Sequence, residues 1–150
     1  MLGTTCCVPE LEGAEMGFAE YSSCIPAVVD WFGLVDLLKM DAQLEGTVCP
    51  GGYNDTTSVE SQLVGAPIQT VPDLVSMTNL MHYIAASDAL FFIQHGSVDC
   101  RMPLVQIEDL AQALATLFAP KMSASCCLVV LVMAAFSIKK IHTSGWCLIF

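Results

Sequence analysis

Four large apolar residues, Leu90 to Ile93, run unbroken into Gln94, His95 and Gly96, after which Ser97 and Asp99 make the chain mostly polar. An apolar run of that length closed by glycine predicts a buried strand over 89–95, of the kind a parallel sheet covers on both faces. Beyond Pro103, apolar residues at 107, 110, 111, 114, 117 and 118 fall on one side of a 3.6-residue period, which predicts an amphipathic helix over 104–118. A second apolar run predicts a strand over 25–32, and a helix is expected over 72–84. Strand, loop and helix in this order predict an α/β fold with a mostly parallel sheet. Asp99 then lies just past the carboxyl end of a strand, the edge at which open α/β sheets place ligands and catalytic groups.

The last part of the chain has another pattern. Cys127 to Ile138 is mostly apolar and is followed by Lys139-Lys140. That run is short of the roughly 20 residues a spanning helix needs. Cys147-Leu148-Ile149-Phe150 fits a prenylation box. Taken at face value, the apolar tail makes a non-catalytic membrane-tethered or interaction protein the competing reading.

Composition narrows the functional classes. A formal net charge of −10 with five basic residues argues against nucleic-acid binding, which needs Lys and Arg to neutralise phosphates. The surplus fits an acidic, solvated surface. The length of 150 residues suffices for one ordinary domain, yet two strands alone leave unpaired sheet edges. Eight cysteines include the adjacent pairs Cys6-Cys7 and Cys126-Cys127, with no C-x-x-C knuckle and no His-Cys cluster. No metal or cofactor is therefore expected. Met1 to Gly13 carries acids and no basic leader region.

His95-Gly96-x-x-Asp99-x-x-Met102-Pro103, set between a strand and a helix, resembles the acid-bearing segment of the α/β-hydrolase superfamily, in its BD-FAE-like branch related to feruloyl esterases and prolyl oligopeptidases. The resemblance is collinear over residues 2–119. It takes in Ala27-Val28-Val29-Asp30-Trp31-Phe32-Gly33, Cys49-Pro50-Gly51-Gly52 and Ser58-Val59-Glu60-Ser61, with Leu2-Gly3-Thr4-Thr5 similar to the end of the nucleophile helix. It implies a partial α/β-hydrolase fold, the C-terminal part of the sheet with flanking helices. It also implies hydrolysis of small acyl or aryl esters, including esters on carbohydrates, without a cofactor. Asp99 would be the acid of a Ser-Asp-His triad. In an exported enzyme a Cys49–Cys100 bridge would stiffen the Asp99 loop; small buried thiols are the alternative.

The rest of the triad is what the sequence lacks. Nucleophile, acid and histidine follow in that order in this superfamily, and no Gly-x-Ser-x-Gly elbow occurs in the chain. The serine, its strand and the oxyanion donors, with any signal peptide, are expected to precede residue 1. The compartment, cytoplasmic or exported, stays open. After Pro120 a Gly-His-Gly-Gly loop is expected, but the one histidine there is His142. Suitable codons for Cys126 to Phe136, read from the third base, spell Leu-Leu-Gly-Gly-Ala-Gly-His-Gly-Gly-Leu. A frameshift near 121–125 is therefore expected, with residues 120–150 an out-of-frame tail, irregular or helical.

Other residues have structural roles in this reading. His95 and His82 are expected to be packed or hydrogen-bonded, and Asp30 to fix the loop after its strand. Trp31 and Phe32 are expected in the core or a pocket wall. Cys6-Cys7 stand where relatives carry Gly-Gly, Leu34 and Leu80 where they carry proline, and Ala89-Leu90 where they carry Pro-Pro. Such losses weaken turns whose backbone angles glycine and proline set.

Overall fold

A computed structural model describes residues 3–118, 129–134 and 137–140. Its centre is a sheet of order β1-β2-β3-β4, with β1 Ala27–Trp31, β2 Leu90–Gly96, β3 Val129–Ala134 and β4 Ser137–Lys140. β1, β2 and β3 are parallel and β4 is antiparallel to β3. Ala27 pairs with Leu90 and Trp31 with Gln94; Phe92 pairs with Val129 and Gly96 with Met133.

The expected helix is α4, Leu104–Phe118. Ile107, Leu110 and Leu114 are fully buried, and Ala111 is nearly so. Ile107, Leu110 and Leu114 pack with Val35, Leu80, Ala89, Phe91 and Ile93 into the main core cluster. Burying each large side chain contributes roughly 1.5–3 kcal/mol. A second cluster of Leu37, Met40, Ile68 and Val75 lies under the connection from β1 to β2. That connection carries three short helices: α1 Met40–Leu44, α2 Val59–Val64 and α3 Pro72–Ser76. Ser58 caps α2 by accepting from the Ser61 N–H at 3.0 Å, and Gly65 ends it at φ 86°, a left-handed position that suits glycine.

Several expectations are corrected. β2 buries Phe91, Ile93 and His95 on one face, while Phe92 and Gln94 opposite are half-buried and Leu90 is exposed. It is thus not covered on both faces by the described residues, because α4 packs on one side. The helix expected over 72–84 breaks after Ser76, and a 3-10 turn occupies Leu80–Tyr83. Polar side chains cause the break by bonding to backbone: Thr78 Oγ1 donates to the Val75 carbonyl, and Asn79 Oδ1 accepts from the Met81 N–H. The tail expected to be irregular or helical supplies strands β3 and β4 instead. The β-branched Val129, Val130 and Val132 favour that conformation, and β2 offers them a free edge. No helix among the described residues is long and apolar enough to cross a membrane. His142 and the Cys147–Phe150 box lie outside the described residues.

Candidate active site

Asp99 sits on the loop between the carboxyl end of β2 and the start of α4, half-buried. Its Oδ1 accepts from the Arg101 N–H at 2.7 Å and the Met102 N–H at 3.0 Å. These two bonds fold the loop around the carboxylate. Oδ2 has no hydrogen-bond partner among the described residues, which leaves one carboxylate oxygen for an incoming donor.

Three outside groups hold this loop. Cys100 is disulfide-bonded to Cys49, so the bridge the sequence left open against buried thiols is present. The Tyr53 hydroxyl lies 3.2 Å from the Cys100 carbonyl and 2.8 Å from the Arg101 carbonyl. Fully buried His95 donates from Nε2 to the Met102 carbonyl at 2.7 Å, while its ring packs on Phe32 at 5.4 Å. A carbonyl can only accept, so Nε2 of His95 carries the proton. His95 is therefore a structural clamp, as expected, and its buried Nδ1 lacks a partner among the described residues.

Tyr53 is positioned in turn. Asp41 on α1 accepts at Oδ1 from the Gly52 and Tyr53 N–H groups, at 2.8 and 3.0 Å, and at Oδ2 from the Asn54 N–H at 2.9 Å. Burial pushes its carboxyl up, but the N–H donors of Asn54, Tyr53 and Gly52 outweigh that and hold it below the usual carboxylate value. Burial, then the charges of nearby acids, Glu60 foremost, push the Tyr53 phenol above its usual value, so it stays a donor at neutral pH. Sequence reasoning missed both Tyr53 and Asp41. The Cys49-Pro50-Gly51-Gly52 loop marked the neighbourhood, but no local signal links Tyr53 to carbonyls some fifty positions away.

The remaining candidates lie elsewhere. His82 is exposed and bonds Ser76 through Nδ1, at 3.1 Å to its carbonyl and 3.1 Å to its hydroxyl. Neither described histidine bonds Asp99. Asp30 is the penultimate residue of β1 and accepts from the Gly33 N–H; burial raises its carboxyl above the ordinary value, an effect this N–H and the neighbouring His95 only partly offset. A methyl group at Gly33 would collide with the Asp30 carboxylate. Trp31 and Phe32 are exposed rather than core, because β1 is the outermost strand of the described sheet. Trp31 does line a cavity of about 340 Å³ with Asp30, Gly33 and Leu80. A second cavity, about 430 Å³, borders Asp41 and Cys49. Asp99 lines neither.

The BD-FAE family model matches residues 1–114, about three quarters of the 150-residue chain. The chain belongs to the BD-FAE family. Among solved structures, this BD-FAE chain is similar to a "Bifunctional GH43-CE" protein of Bacteroides eggerthii at 27% identity and TM-score 0.63, over 77% of this chain and 15% of that one. It also resembles in fold the thermophilic esterase Est2 of the planctomycete Thermogutta terrifontis, at 21% identity and TM-score 0.51, over 89% of this chain and 39% of that one. The BD-FAE chain thus spans well under half the length of either neighbour. No curated protein matches it. The family match ends within α4, short of β3 and β4.

Proposed function

We propose that this chain carries the acid of a serine carboxylic-ester hydrolase, Asp99, and does not hydrolyse esters by itself. The observation that carries the reading is the Asp99 carboxylate just past a parallel strand, with one oxygen tied to its own loop and the other without a partner among the described residues. In the family mechanism such an oxygen accepts from a histidine N–H, sets its tautomer and stabilises the imidazolium formed as serine attacks the ester carbonyl. Acyl transfer to serine and hydrolysis by water follow. Family membership and the esterase neighbour support the reaction class; small acyl or aryl esters are the substrates we propose.

The 150 residues contain no Gly-x-Ser-x-Gly, and neither described histidine bonds Asp99. Without a serine there is no acyl-enzyme, and without an oxyanion site about 3 kcal/mol of transition-state stabilisation is absent. Two measurements test the reading. The chain alone should release no p-nitrophenol from p-nitrophenyl acetate above buffer. Residues 90–103 grafted in place of the acid loop of an active BD-FAE esterase should preserve turnover, and Asp99→Asn in that graft should lower kcat by about 10⁴. Hydrolysis by the chain alone that Asp99→Asn abolishes, or a graft indifferent to Asp99→Asn, would sink it.

A further inference from the structure

Far from Asp99 in sequence, three sulfurs meet. Cys6 and Cys24 form a disulfide, and Cys7 is a free, exposed thiol. Cys7 Sγ lies 3.4 Å from Cys6 Sγ and 3.9 Å from Cys24 Sγ, and all three sulfurs fall within 4.8 Å of one another. Cys7 is at φ 64°, a left-handed conformation that non-glycine residues rarely adopt and that here brings its side chain alongside its neighbour's. We propose that Cys6, Cys7 and Cys24 form a three-thiolate site that, once the Cys6–Cys24 bond is reduced, holds one thiophilic cation of the copper(I) or zinc(II) type.

The geometry supports this before any ion arrives. Thiolates about 2.3 Å from a tetrahedral centre stand about 3.8 Å apart, so the two edges through Cys7 are already near ligand spacing. The third edge opens when the disulfide is reduced. Both arms stay anchored without that bond. Ahead of Cys6, Thr4 is buried and the Gly3 carbonyl accepts from the Ala89 N–H at 3.3 Å. After Cys24, Ile25 packs on the main core and β1 begins two residues later. Ser23 Oγ also donates to Glu12 at 2.7 Å, and the Thr5 carbonyl accepts from the Val8 N–H at 3.2 Å, closing the turn that holds Cys6 and Cys7. Cys7 and Cys24 are exposed, so the ion reaches them from solvent.

The chemistry balances with an external dithiol as reductant. It gives two electrons and two protons to the Cys6–Cys24 bond and becomes a disulfide; cation binding then displaces the three thiol protons to solvent. Soft thiolates select copper(I) and zinc(II) over harder ions. An external disulfide reverses the step: it takes two electrons from Cys6 and Cys24, re-forms their bond and, with two protons from solvent, becomes two thiols, while Cys7 regains a proton and the ion is released.

The 150-residue chain, reduced with dithiol and handled without oxygen, is titrated with copper(I) or zinc(II), in separate arms, against a chromophoric chelator. The parent should retain one ion more than Cys7→Ser in at least one arm. Cys49→Ser should retain as many ions as the parent, and the unreduced chain one fewer. Cys7 is exposed and in no disulfide, so the ion-free Cys7→Ser chain should keep the parent's circular dichroism. Equal retention by parent and Cys7→Ser in both arms, or a loss at Cys49→Ser equal to that at Cys7→Ser, overturns the proposal.

Discussion

The Tyr53 hydroxyl donates to the Arg101 carbonyl at 2.8 Å, joining the loop after α1 to the loop that carries Asp99. A chain of dependence runs from Asp41, through the three N–H groups it accepts, to Tyr53 and on to the residues that follow Asp99. The acid is thus oriented by residues that never touch it.

Tyr53→Phe removes the hydroxyl and leaves the ring, so the Arg101 carbonyl loses its donor and the Cys100 carbonyl a longer, shared contact while packing is kept. Both carbonyls reach solvent in part, so water replaces some of the loss. A destabilisation of about 1 kcal/mol is expected in urea unfolding. The N–H groups of Arg101 and Met102 should exchange with deuterium faster than in the parent, whereas those of α4 should not. Unchanged exchange at both would mean the hydroxyl does not hold the loop.

Cys49 and Cys100 are separated by 51 positions. Closing a loop of that length lowers the entropy of the unfolded chain enough to contribute up to about 4 kcal/mol. Cys49→Ser with Cys100→Ser should lower the thermal midpoint markedly, with a larger effect than Tyr53→Phe. Equal midpoints for the double variant and the parent would show that the bridge adds no stability.

Asp41 has a depressed carboxyl in the folded chain. A depressed acid binds fewer protons folded than unfolded, so its contribution is present above the ordinary value of 3.8 and is lost as pH falls through the lower folded value. Asp41→Asn should therefore destabilise at pH 7, by about 1 kcal/mol given its solvent-screened site, and the gap to the parent should narrow below pH 4. A gap that widens on acidification contradicts the assignment.

Asp30 has the opposite sign. Burial raises its carboxyl, so the folded chain binds more protons than the unfolded one between 3.8 and the raised value, and stability falls as pH rises through that window. The penalty is complete at neutral pH. Asp30→Asn keeps an oxygen for the Gly33 N–H and removes the charge, so the variant should be at least as stable as the parent at pH 7 and lose its advantage in acid. Urea midpoints at pH 3 and pH 7 decide it.

The strands at 27–31 and 90–96 and the helix at 104–118 were readable because each signal is local: an apolar run closed by glycine, or a stripe repeating every three to four residues. The long helix expected over 72–84 failed because the same periodicity cannot report that Thr78 and Asn79 turn their side chains onto the backbone. The strand at 129–134 was missed since an apolar run suits helix or strand alike until a neighbour such as β2 offers its edge.

By itself the sequence determined the strand, the glycine turn, the position of Asp99 after the strand and the helix behind it, together with the absence of a serine elbow. Tertiary structure alone decided what holds Asp99: Tyr53 from about fifty positions away, Asp41 behind it, and the pairing of Cys49 with Cys100. It also decided that Cys6 and Cys7 meet Cys24. Local periodicity encodes which face of an element is buried. Which distant side chain completes a hydrogen bond or a sulfur cluster depends on how the loops cross in space, and loop residues follow no repeat that announces their partners.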